Sequence, residues 1–419
     1  MTLLPTDEPR RSQQLSIWEG ALAVIFVNWA TGVVTTGYAL WLGANPAALA
    51  VLGALPLVAQ MAAPSALFFR GSRKRLSIRL AATGRAVFGA VLFLPLLPED
   101  WRVPGLLLFA ALSQLIISPV NVLWTSWMAD LVPEEKRGRY FGFRNGLLGL
   151  VGTLGNLAAG VVIDALGKPW GFLLVIAVGV GLGIAATRIL HFQLEPPSTP
   201  SAPTLKEFFS PLSDRTFRGF LGFVVFFLGA VSVGGPFAIP LFLEYTQMSF
   251  TQIGLWTVIS AVTGLVMGPL WGRIADRIGH WWVLLFTSVV AAVLLPGLWL
   301  LGRPGFLEPI WASAVIDAIA WVGLGTALTN IVLQGASPER RNLYLSLYWL
   351  SFALGGVLGS VLGGILGSLH AVLQFGPTPY HFPIVVSLLL RLGAVGYLVW
   401  RMRKNADKAR ESALREAGS

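Results

Sequence analysis

Runs of about 20 predominantly apolar residues recur from Ile17 to Trp400, each long enough to cross a hydrocarbon core of roughly 30 Å as a helix. Backbone amides facing lipid cannot stay unpaired, so such runs are either helices or the strands of a closed barrel. Barrel strands alternate apolar and polar residues over about 10 positions, and these runs do not alternate. The expected fold is therefore an all-α polytopic membrane protein. Its twelve spans lie near 17–43, 46–69, 77–98, 103–128, 140–165, 170–190, 217–245, 251–270, 281–302, 307–333, 343–368 and 381–401. Composition agrees: 55% of residues are apolar and 12% charged, against about 25% charged in soluble domains.

The net charge of +10 is distributed by loop. Arg70, Arg73, Lys74 and Arg75 share one loop, followed by Lys136, Arg137 and Arg139, then Arg273 and Arg277, then Arg340 and Arg341, then Arg401, Arg403 and Lys404. The intervening loops hold only Arg102, Lys168 and Arg303. This is the positive-inside asymmetry; it places both termini in the cytoplasm of a bacterial-type inner membrane and makes a nucleic-acid partner unnecessary. The polar first 16 residues precede a run too long for a signal-peptide core, so the first helix is expected to be an uncleaved anchor. Cysteine is absent, and with it thiolate chemistry.

Between the sixth and seventh runs, Glu195-Pro196-Pro197-Ser198-Thr199-Pro200-Ser201-Ala202-Pro203 is too rich in proline and serine to pack a core. Leu205, Phe208, Phe209 and Leu212 follow at helical spacing among charges, as in a short helix lying on a membrane surface. The chain thus divides into a tail (1–16), a six-helix bundle (17–190), a linker (191–216), a second six-helix bundle (217–401) and a tail (402–419). The halves echo each other. Pro133-Glu134 before span five matches Pro338-Glu339 before span eleven, each suited to a helix N-terminus. Gly355, Gly359, Gly363 and Gly367 recur every four residues in span eleven, and Gly152, Asn156 and Gly160 nearly do so in span five. Small residues at that interval let helices approach closely, either for static packing or for sliding.

One charged stretch is more specific: Gly272-Arg273-Ile274-Ala275-Asp276-Arg277-Ile278-Gly279-His280, expected as a tight loop between spans eight and nine. It resembles the signature between the second and third helices of each half of the major facilitator superfamily, with Gly272, Asp276, Arg277, Gly279 and His280 in place and Ile274 for a leucine. Superposing Gly71 on Gly279 puts Phe68 where Asp276 stands, so the first half lacks the acid. The resemblance spans about residues 15–401. It implies two six-helix halves, alternating access, a monomer without cofactor, and a cytoplasmic latch from Asp276 toward the start of span five, where Asp130, Arg139 and Arg144 lie.

The resemblance also implies that spans one, four, seven and ten line a central cavity, and polar stripes fall on these spans. Asn28, Thr31 and Thr35 share a face of span one; Gln114, Ser118 and Asn121 share a face of span four, beside Trp124; Ser313, Asp317 and Trp321 share one of span ten. Span seven is interrupted by Pro236 and Pro240. Spans six and nine are almost uniformly apolar, as expected of lipid-facing supports. Asp317 sits near mid-span, where a carboxylate is costly unless protonated or paired. It is a candidate proton carrier, a structural partner for Arg391, or a substrate contact. Arg85 and Arg144 are expected to snorkel or to brace a closed state; Glu19 and Asp164 are expected at the interfaces.

The four histidines have no zinc spacing, no glycine-rich phosphate loop precedes a lysine, and no catalytic triad or paired carboxylates appear, so no metal, cofactor or enzyme activity is expected. The expected function is secondary transport of a small organic solute, with proton coupling. Neutral polar solutes and amphipathic aromatic ones both suit the stripes. Drug–proton antiporters of the superfamily carry a Gly-Pro pair in span five; here Gly155-Asn156 stands instead. The alternative is a transporter-fold protein acting as sensor, assembly partner or lipid mover.

Overall fold

The structure, a computed structural model, describes residues 7–68, 71–196, 204–337 and 340–417. In chain order its helices are α1 (Asp7–Thr31), α2 (Val33–Trp41), α3 (Pro46–Ala62), α4 (Arg73–Gly89), α5 (Glu99–Leu131), α6 (Glu134–Leu166), α7 (Trp170–Leu190) and α8 (Leu205–Phe209). They continue with α9 (Arg215–Gly234), α10 (Ala238–Pro240), α11 (Phe250–Ile278), α12 (His280–Leu301), α13 (Glu308–Gly335), α14 (Arg341–Ser368), α15 (His370–Leu373) and α16 (His381–Ala417). Among the described residues, 12 helical segments are long and apolar enough to cross a membrane. The all-α, twelve-span fold expected from the sequence is the one observed.

Local chemistry sets several helix starts. The Asn45 side chain accepts from Ala48 N at 2.9 Å, with Pro46 in the first turn of α3. Ser72 caps α4 by accepting from Arg75 N at 3.0 Å, and Asp214 caps α9 through Thr216 N and Phe217 N. In span seven, α9 ends at Gly234. The chain then passes through a 3-10 turn (Gly235–Phe237), α10 and a π turn (Leu241–Tyr245), because Pro236 and Pro240 supply no backbone donor.

Three expectations are corrected. Residues 272–278 are not a loop but the end of α11, which has no helix breaker after Pro269; Ala275 there is buried. The turn is confined to Gly279, at φ +89, and Gly71, its counterpart in the first half, has φ +111. Second, α1 begins at Asp7 and not at Ile17, since the polar residues ahead of the apolar run continue the helix. Third, α12 is not simply a lipid-facing support. Val283, Leu284, Ala291 and Leu295 bury one face while Trp282, Phe286 and Val293 leave the other exposed, so a helix apolar all round serves both packing and lipid. Residues 197–203 of the linker and the Pro338-Glu339 pair lie outside the described residues.

The chain forms two compact units, Met1–Pro203 with Ile239–Ala261, and Thr204–Ala238 with Val262–Ser419. Each repeats the same packing. In the first, α1 packs on α7 and α6, and α4 on α5 and α7; in the second, α9 packs on α16 and α14, and α12 on α13 and α16. The core of the second unit is aromatic, with Phe217, Phe220, Phe223 and Phe227 of α9 among Tyr344, Tyr348 and Trp271. Trp127, Met128, Leu131, Ile78 and Leu190 form a smaller cluster in the first.

Candidate functional site

The first unit holds an open cavity of about 560 Å³, within the range of small-molecule sites. Helices α1, α3, α4, α5 and α6 each contribute walls. The centre is a group of three ionisable side chains from three helices: Glu19 of α1, Arg85 of α4 and Arg144 of α6, all lining the cavity. Their exposures are 6%, 5% and 7%, and charges so buried persist only with partners.

Arg144 Nη2 lies 3.6 Å from Glu19 Oε2, and Arg85 Nη2 lies 4.0 Å from Glu19 Oε1. Arg85 is anchored independently: its Nη1 donates to Gly183 O at 2.6 Å and to Thr187 Oγ1 at 2.5 Å on α7. Arg144 Nε donates to Ser16 O at 3.3 Å, and its guanidinium carbon sits 4.1 Å from the centre of the Trp124 ring, a cation–π contact that fixes the plane of the cation. Two guanidinium charges against one carboxylate leave a formal surplus of one positive charge. Three buried polar atoms on the cavity wall have no hydrogen-bond partner among the described residues: Arg85 Nε, Ser118 Oγ and Trp124 Nε1.

Of the residues expected to face substrate, Thr31, Gln114, Ser118, Asn121 and Trp124 line this cavity. Thr35 is buried elsewhere, donating to Trp29 O at 2.6 Å. Asn28 abuts Gly152 of α6, where an added Cβ would lie 2.6 Å from the amide nitrogen. Ser313, Asp317 and Trp321 belong to α13 of the second unit. Ser313 is buried and donates to Ile310 O at 2.6 Å, Asp317 is half-buried one turn later, and Trp321 packs against the aromatic core. Arg391, 1% exposed, donates to Ser387 Oγ at 3.0 Å, Ala291 O at 2.7 Å and Val231 O at 3.3 Å.

The expected latch residues are divided between the two units. Asp130 pairs with Arg73 at 2.7 Å, Arg139 is exposed, and Arg144 belongs to the cavity. Gly272, Asp276, Arg277 and Gly279 lie at the end of α11, with Asp276 and Arg277 exposed. Glu19, expected at an interface, lies three turns into α1, buried within the bundle and lining the cavity. Its signal was present in Ser12, Ser16 and Glu19, a buried i, i+4, i+7 stripe. Of the two roles expected for Arg85, the ion pair is the one observed, with Glu19, and Gln60 of α3 also lines the cavity, outside the polar stripes.

Over residues 17–334 and 220–418 the chain matches the family described as Major Facilitator Superfamily. It is 20% identical over 254 residues to an MFS-type transporter of Methanocaldococcus jannaschii, covering 59% of this chain and 63% of that one. It is 29% identical over 196 residues to an MFS-type transporter of Escherichia fergusonii, covering 42% and 49%. The matched region thus spans less than two thirds of each relative. Among solved structures, a mutant of the nucleoside transporter NupG superposes with TM-score 0.74 at 14% identity, covering 93% of this chain and 98% of that one. A D-xylose-proton symporter superposes at 0.70 and 14%, covering 92% and 96%. At these identities the structures establish a shared fold.

Proposed function

We propose that this chain, which belongs to the major facilitator superfamily, is a secondary transporter moving a small organic solute across the membrane by alternating access. The observation that carries this reading is a cavity of about 560 Å³ lined by three buried charged side chains, Glu19, Arg85 and Arg144, inside an otherwise apolar helix bundle. Buried charges in a membrane protein are costly and mark pathways for solutes and ions. Related folds are titled for a nucleoside and for D-xylose with a proton, cargoes of a size such a cavity accepts. The alternation of basic loops supports an inner-membrane orientation with both termini cytoplasmic.

The proposed coupling ion is the proton, with Asp317 as its carrier. Asp317 lies within an apolar span, one turn from Ser313 on the helix the superfamily uses for its cavity. The test is reconstitution of the purified protein in liposomes holding a pH dye, with pools of sugars, amino acids, organic acids and amphipathic cations added in turn. One pool should drive proton movement that Asp317→Asn abolishes. Solute uptake without a proton signal would remove the coupling, and no uptake from any pool would remove the transporter reading.

A further inference from the structure

We infer that the cavity of the first unit takes a solute through a compact anionic group, a carboxylate or a phosphate monoester, held between Arg85 and Arg144. This inference rests on the transporter reading and names the class of its cargo.

The first argument is charge. Glu19 is the sole carboxylate within 4.0 Å of either guanidinium among the described residues, so the site keeps one uncompensated positive charge. A cationic solute would add to that surplus, and a neutral one would leave it buried and unmatched. An anion cancels it.

The second argument is the state of the donors. Charge-assisted N–H···O bonds are made at about 2.7–2.9 Å, whereas Glu19 stands 3.6 and 4.0 Å away. Its carboxylate therefore offsets charge without occupying the hydrogen-bonding edges of the arginines. Arg85 is 5% exposed and lines the cavity, and its Nε has no partner among the described residues; Ser118 Oγ and Trp124 Nε1 are in the same condition. Arg85 does not depend on Glu19 for its position, because Gly183 and Thr187 already hold it. Two of these groups, Arg85 Nε and Trp124 Nε1, are donors only, and the hydroxyl of Ser118 can donate. The complement is an acceptor-rich head group. Val24, Val27 and Ile117 complete the wall with apolar surface, so the remainder of the solute is hydrocarbon or aromatic.

The test is equilibrium binding to the full chain in lipid nanodiscs, using four probes that share one ring and differ in head group: benzoate, phenyl phosphate, benzamide and benzylamine. At least one anion should bind about tenfold or more tightly than benzamide, with benzylamine weakest, and the better anion identifies the head group. Arg85→Gln should weaken the anion about tenfold and leave benzamide unchanged, since one charged hydrogen-bonding partner is lost. Glu19→Gln should tighten anion binding about threefold or more, because it removes the competing negative charge. A purely structural triad predicts no preference for either anion over benzamide in the unmodified chain, so that comparison decides the matter even if Arg85→Gln fails to fold. Equal binding of benzamide and both anions in the unmodified chain overturns the inference. Flux measured separately keeps the two readings apart. Anion binding without flux removes the transporter reading alone, and flux of a neutral solute without anion binding removes this inference alone.

Discussion

Arg137 shows what one side chain can do at a helix end. Its Nε donates to Ala129 O at 3.1 Å and Val132 O at 3.2 Å, and its Nη2 to Ala129 O at 2.7 Å. These carbonyls close α5, whose last turn has no intrahelical donors left; the guanidinium supplies donors and a charge of the favourable sign. Arg137→Ala should lower stability by about 1–2 kcal/mol, because charged hydrogen bonds at a half-exposed site are lost. Thermal unfolding in detergent measures it, and Arg137→Lys should recover only part, lacking the planar fork. An unchanged melting temperature in Arg137→Ala would refute the capping role. At this scale the sequence was partly legible. Gln114, Ser118 and Asn121 recur on one face of one helix, and that stripe does line the cavity. The charged centre was not legible, because Glu19, Arg85 and Arg144 come from three helices and meet only through tertiary packing. Glu19 was further disguised by counting its helix from Ile17, whereas hydrogen bonding carries α1 back to Asp7.

At the scale of the element, the glycine repeat of α14 acquires a partner. An added Cβ on Gly355, Gly359 or Gly363 would fall on the carbonyl oxygens of Val225, Gly229 and Val233 respectively. The every-four spacing thus lays one smooth face of α14 directly on the backbone of α9. Gly359→Ala meets backbone on both sides of the contact, so relief requires separating two helices. The overpacking cost of about 1–3 kcal/mol should outweigh the helix propensity of alanine, about 1 kcal/mol. Gly325→Ala, in α13 with open space around its Cα, should instead be neutral or stabilising. Unfolding of the two variants in the same detergent tests the contrast, and equal melting temperatures would remove the close-packing account. A second expectation concerns α8, whose start is a reciprocal cap: Glu207 N donates to Thr204 Oγ1 at 3.3 Å, and Thr204 N donates to Glu207 Oε2 at 2.8 Å. These hydrogen bonds hold the Glu207 carboxyl below its usual range. The cap is therefore present at and above the ordinary carboxylate range and is lost as pH falls through the depressed folded value. The protection factor of the Thr204 amide, which donates to that carboxylate, should fall there, and a pH-independent protection would contradict it. The spans were legible because their length is imposed by the bilayer; their ends were not, because α1 and α11 run on through polar residues that a hydropathy reading assigns to loops.

For the molecule as a whole, the informative feature is that Ile239–Ala261, from the second half of the chain, belongs to the first compact unit. The join is specific. Asp164 at the end of α6 accepts hydrogen bonds from Phe250 N at 3.1 Å and Thr251 N at 2.7 Å, the first residues of α11. The same helix start is capped from within: Ser249 N donates to Gln252 Oε1 at 2.8 Å, and Gln252 N donates to Ser249 Oγ at 3.2 Å. A carboxylate placed on free N–H groups also meets the positive end of the helix dipole. Gly160, one turn before Asp164, lets the Phe250 backbone lie flush on α6; an added Cβ would strike it. This clamp ties the end of α6 to the start of α11 within the first compact unit, and the proposed alternating-access cycle would open it once per turnover. The chain has no cysteine, so the requirement can be tested cleanly. A variant carrying Asp164→Cys and Thr251→Cys, joined by a short disulfide-cleavable cross-linker, should lose solute uptake in proteoliposomes. Reduction should restore it to the level of the unlinked double variant. Each single variant treated with the same reagent should keep its uptake, which separates the tether from mere modification. Undiminished uptake in the cross-linked protein would mean that α6 and α11 stay joined throughout transport. Asp164 would then be a fixed cap on α11, with no part in gating.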